Sequence, residues 1–131
     1  MKDYILREID KISKVIEAIL LKIGVLKTEN KREEIMEATK LELVRQLNID
    51  IDELLENENF IEVLVQKYQF RNNDMEKFAD LLFDLVESAE ALDEKEELIG
   101  CIGRIYAYLV EKEHPVSFNM FYIMTELKKY S

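Results

Sequence analysis

At 131 residues, with 48% apolar and 35% charged side chains, three glycines and one proline, the chain has the composition of one helical domain and excludes a disordered or β-rich protein. Its 18 Lys and Arg stand against 28 Asp and Glu, a formal net charge of −10, the opposite of the clustered positive charge that phosphate binding needs, so nucleic acid is excluded as a partner. The imbalance is local: residues 1–47 hold ten basic and nine acidic side chains, for plus one, and residues 48–131 hold eight and nineteen, for minus eleven.

One cysteine, Cys101, can form no internal disulfide, which fits a reducing compartment. Charges in Met1–Glu8 stand where a secretory signal needs an apolar core. The longest oily stretch, Val15 to Leu26, is broken by Glu17 and Lys22 and falls short of the roughly 20 residues that span a bilayer. A cytoplasmic protein without membrane contact is expected.

The first predicted helix runs from Asp3 to about Lys27. Ile5, Ile9, Ile12, Ile16, Ile19, Ile23 and Leu26 follow at alternating steps of four and three, which keeps one stripe facing the same neighbours. Leu6, Val15 and Leu20 widen the stripe, favouring a bundle core over a lone two-stranded zipper. From Ala18 onward the helix is apolar nearly all round, so Ala18, Leu21, Val25 and Leu26 are the candidate interface, with a second copy one way of covering them.

Thr28-Glu29-Asn30 breaks the pattern, and a second helix is predicted from about Lys31 to Leu47 with Ile35, Met36, Thr39, Leu43 and Leu47 inward. A link this short makes the two helices an antiparallel hairpin. Residues 48–58 are acidic and turn-prone, with one helical turn around Asp52 to Glu56. Phe60 to Phe70 alternates partly like a strand, but no partner strand exists, so it reads as helix.

A further helix is predicted from Asp74 to about Leu92 on Phe78, Leu82, Leu85, Ala89 and Leu92. Asp93 then reads as the N-cap of a helix to about Glu113, with Leu98, Ile102, Ile105 and Leu109 as seam. Gly100 and Gly103 inside that helix each cost about 1 kcal/mol relative to alanine. Close approach of a neighbour carrying Ser88, Ala89 and Ala91 is the expected compensation. His114-Pro115 ends the helix, since proline disfavours a helical residue before it. Ser117 caps a last helix carrying Phe118, Phe121, Met124 and Leu127, with Val116 stapled on Phe121 and Lys128 and Lys129 at the carboxyl end.

On these residues the hairpin at 79–109 resembles a tetratricopeptide repeat: Leu82, Leu85, Val86 and Ala89 fall on its first-helix pattern, and Leu98, Ile102 and Ile105 on its second. Val86 and Leu98 stand where the repeat has small residues, and the closing proline is missing. Asn30 to Ala38 fits the start of an earlier second helix. The whole chain, from Asp3-Tyr-Ile-Leu-Arg-Glu-Ile onward, also resembles a family of short all-helical bacterial proteins that carries no assigned activity. That resemblance implies the fold and transfers no functional residue.

Candidate chemistry is sparse. Glu111 and His114 have the Glu-x-x-His spacing of di-iron bundles, which require a second copy of the motif, and His114 is the only histidine. A solvent-facing or end-capping role is expected for it. Asp50, Asp52, Glu53 and Glu56 lack the glycine turn of a calcium loop and read as an acidic helix entry. Cys101, with Arg104 one turn away, reads as a small core or interface residue. Tyr106, Tyr108, Met120, Phe121, Tyr122, Met124 and Tyr130 read as core, or as the lining of a peptide groove.

The expectation is therefore an all-α domain of five or six helices packed as antiparallel hairpins, degenerate repeat-like and without cofactor or metal. Its expected function is non-catalytic binding of a protein partner. The alternative is a small-molecule binder or an enzyme with an acidic site inside the bundle, built from some of Asp80, Asp84, Glu87 and Glu90. A third reading is a subunit whose first helix completes a partner's core.

Overall fold

The computed structural model describes residues 2–130, with side chains from residue 11 onward; Ile5 and Ile9 of the predicted seam, Leu6 beside it, and the side chains of the family-like opening lie outside the described side chains. Among the described residues every regular element is helical: α1 (Lys2–Thr28), α2 (Ile35–Leu47), α3 (Ile51–Glu56), α4 (Phe60–Gln66), α5 (Asn72–Ser88), α6 (Leu92–Glu111) and α7 (Phe118–Leu127). Single 3-10 turns at Arg32–Glu34 and Lys128–Tyr130 precede α2 and follow α7.

Seven helices form where the sequence predicts five or six. The extra one is α3, expected as a lone turn. Asp50 adopts an extended backbone and its side chain accepts from the Glu53 amide at 3.3 Å, satisfying one of the helix's orphan donors, while Ile51, Leu54 and Leu55 are buried. Asn30 and Asn48 take left-handed φ values of 59° and 56° at the exits of α1 and α2, a conformation asparagine tolerates better than most residues.

The seam of α1 packs as expected: Ile12, Ile16, Ile19 and Ile23 are buried, and Leu26 packs on the core at their end. Lys22 lies 3.5 Å from Glu42, which with the short link sets α1 and α2 antiparallel. By contrast α5 runs parallel to α1, because Lys77 bonds Ser13 and Glu17 near one end while Lys27 bonds Asp84 and Glu87 near the other. α7 runs parallel to α5 in turn. Ser117 reaches Glu76, and the Tyr122 ring stands edge-on to Phe83 three residues beyond Asp80. α5 and α6 form a hairpin around Ala89–Ala91 and bury Phe78, Leu82, Leu85, Leu98, Ile102, Ile105 and Leu109.

Three expectations for this half change. α5 stops at Ser88, so Leu92 is not on its seam but opens α6, where it is exposed; Ala91 occupies the N-cap position and Asp93 sits inside the first turn. Gly100 and Gly103 face open space, with nothing within 4 Å of an added Cβ, so no close helix approach compensates them. On α7 the buried residues are Met120 and Ile123, and Phe118 and Phe121 point outward. Residues Phe118 to Met124 are apolar on nearly every side, so spacing alone could not choose the inner face.

Candidate functional site

α2 is 13 residues long against 27 for α1, so at about 1.5 Å per residue it covers only half of its neighbour. Where α2 ends, the chain turns away through Asn48 and leaves a step beside α1. A groove of about 600 Å³ occupies that step. Val15, Ala18 and Ile19 form its floor, Glu42 and Gln46 its α2 wall, and Lys11, Lys14 and Lys22 its rim.

The predicted interface residues divide around this groove. Ala18 is exposed on its floor, and Leu21 and Val25, 74% and 55% exposed, continue from it along the outer side of α1. Lys14, Ala18, Leu21 and Val25 follow at steps of four, three and four, so they form one outward stripe. Leu26 does not belong to it, since it packs on the core. The lysines are what the sequence reading missed. Their signal was the near-neutral charge of residues 1–47 in a strongly acidic chain, but only the length difference between α1 and α2 shows where they gather.

A second apolar surface lies on α7. Phe118 is 97% exposed, and Val116, Ser117, Phe118 and Phe121 line a shallow groove of about 530 Å³. Ser117 caps the helix as predicted, accepting from the Met120 amide at 3.1 Å, but its hydroxyl also donates to Glu76 at 3.1 Å.

The acidic side chains of α5 lie between α1 and α7. Lys27 Nζ stands 2.5 Å from Asp84 and 3.3 Å from Glu87. Burial pulls the Lys27 ammonium down, but the two carboxylates outweigh it and leave it raised; burial likewise raises Asp84, against the pull of Lys27. Asp80, one turn before Asp84, is pushed up to about 7 by burial and by Glu76 and Asp84, with Asn119 on α7 favouring the charged form. Its Oδ1 is sealed from solvent without a hydrogen-bond partner, as is the Tyr106 hydroxyl, whose ionisation is pushed well above the usual phenol range by burial, Asp80 and Glu76. Glu90 is exposed and apart from this cluster.

Other candidates have structural employment. His114 is not solvent-facing: its Nε2 lies 2.9 Å from Glu76 Oε1, joining the end of α6 to α5, while Glu111 is exposed. Cys101 is buried, with burial raising its thiol, and the Arg104 guanidinium covers the Phe60 ring at 4.8 Å. Lys40 pairs with Asp52 at 3.1 Å across the α2–α3 corner. No group of three or more His, Cys, Asp or Glu side chains able to hold a metal ion occurs among the described residues, and no helix of the described residues is long and apolar enough to cross a membrane. Comparison with protein-family models, curated proteins and solved structures finds no match.

Proposed function

We propose that the chain is a non-catalytic protein-interaction module that works in the cytoplasm and docks its partner on the outer face of α1. The observation that carries this reading is the exposure of large apolar side chains on a continuous helical stripe, Leu21 and Val25 beside Ala18, next to a groove with an apolar floor. Single exposed leucines are ordinary, but a stripe that opens into a groove is the geometry in which one helix receives another. The parallel run of α1, α5 and α7 supports a degenerate repeat-like arrangement, in which the first helices of successive units lie side by side. A second copy of the chain is one partner that could cover the stripe.

The alternative is an acidic site within the bundle, favoured by the raised Asp80 beside Asp84 and Tyr106. Against it, the Asp80 oxygen and the Tyr106 hydroxyl that would do chemistry are closed to solvent. Crosslinking with affinity capture from the native cell, run on the unmodified chain and on Leu21→Asp, separates the readings. The module reading expects a protein, or a second copy, crosslinked to the unmodified chain and lost from the variant. The same recoveries from both would contradict it.

A further inference from the structure

We infer that the groove beside α1 takes an acidic amphipathic helix of a partner protein, an inference that rests on the docking reading above. Among the described residues the groove is a basic site on an acidic molecule: Lys11, Lys14 and Lys22 rim it against the carboxylate of Glu42, in a chain of net charge −10. Lys22 is committed in part, lying 3.5 Å from Glu42. Lys11 and Lys14 make no ion pair among the described residues, and their ammonium groups stand exposed at the open end where α2 has stopped.

The two kinds of contact are arranged as a helix would use them. Lys14 and Lys22 lie two turns apart on either side of Ala18, so carboxylates flanking the apolar face of an incoming helix meet an ammonium on each edge while its apolar residues cover Val15, Ala18 and Ile19. Leu21 and Val25 extend the apolar contact along α1. At physiological ionic strength charges beyond about 8 Å are largely screened, so the local lysines and not the distant acidic surface govern an acidic ligand once it is near. The step is concave between two helices, which suits a rod; a flat anionic bilayer would meet α1 only along Leu21 and Val25 and would face the acidic remainder of the chain.

The test uses labelled amphipathic peptides with leucine at helical spacing and either glutamate or lysine on the flanking positions, titrated into the full chain and followed by fluorescence anisotropy. The glutamate peptide is expected to bind more tightly than the lysine peptide, to weaken as salt rises, and to lose about tenfold in affinity in Lys11→Glu/Lys14→Glu, whose thermal unfolding should match the unmodified chain. Lys22→Gln should lose less. Equal binding of both peptides, or full affinity in the double variant, overturns the inference. So does co-sedimentation of the chain with phosphatidylserine vesicles without preference for the acidic peptide, or a dimer that survives the charge reversal and occludes the groove. If the charge preference fails while Leu21→Asp still loses its crosslinked partner, docking on α1 stands and only its acidic ligand falls; if that variant keeps its partner, the docking reading itself fails.

Discussion

The outer face of α1 and the buried edge of α5 handle polar and apolar groups in opposite ways. On α1 the charged groups stay wet and large apolar side chains are left in water beside them. On α5 the carboxylates of Glu76, Asp80 and Asp84 are drawn partly beneath α1 and α7, where Lys27, His114, Ser117 and Asn119 meet them. Both depart from the arrangement that would serve folding alone. The first leaves apolar area uncovered, and the second retains the desolvation of a carboxylate. The difference is that the α5 cluster holds helices of this chain together, whereas the α1 face has no companion among the described residues.

The sharpest way to break the comparison is to put the same charge on the two sides of α1. Ile16 is 0% exposed, so Ile16→Asp buries an unpaired carboxylate at the centre of the seam and should cost more than about 4 kcal/mol, enough to leave the domain unfolded by circular dichroism. The α5 edge is tested next by pH. Asp80 releases its proton near 3.8 when unfolded and near 7 when folded, so the folded chain holds the extra proton between those values. Its contribution to stability therefore falls as pH rises from about 4 to 7, and the penalty is complete above 7. Asp80→Asn should be nearly neutral at the acid end and stabilising by about 1–2 kcal/mol at pH 8, less than the whole shift because the carboxyl is only partly buried. Denaturant unfolding of both chains at the two pH values measures this.

Smaller effects sharpen the picture. Gly100→Ala and Gly103→Ala meet no neighbour and should each raise stability by up to about 1 kcal/mol, visible as a higher thermal midpoint. Leu21→Asp, on the wet side of α1, should change stability by less than about 0.5 kcal/mol while removing any partner or second copy, the latter read by light scattering.

Much of the α1 seam was legible because a stripe of isoleucines at four-three steps has only one way to face inward. The same holds for Phe78, Leu82 and Leu85 on α5 and for the Ser117 cap. What was not legible depended on partners distant in sequence. His114 read as an end residue because Glu76, which binds it, comes 38 positions earlier, and nothing in the spacing of Asp80, Asp84, Glu87 and Glu90 singled out Asp80, because its neighbour Asn119 comes from the distant α7. Leu92 carried the right spacing to extend α5, but the chain turns at Ala89–Ala91 first. The predicted interface residues Ala18, Leu21 and Val25 stand outward because they lie opposite the isoleucines, a matter of helix period alone, whereas the lysine-rimmed groove depends on where α2 happens to stop.

The central claim, that the α1 face is a docking surface for an acidic helix, is tested most directly by mapping backbone amide shifts in the folded chain as the glutamate peptide is added. Shifts confined to residues 11–25 and the facing part of α2 are predicted, with α7 unmoved. Shifts centred on Val116, Phe118 and Phe121, or spread over the molecule without a centre on α1, would contradict it.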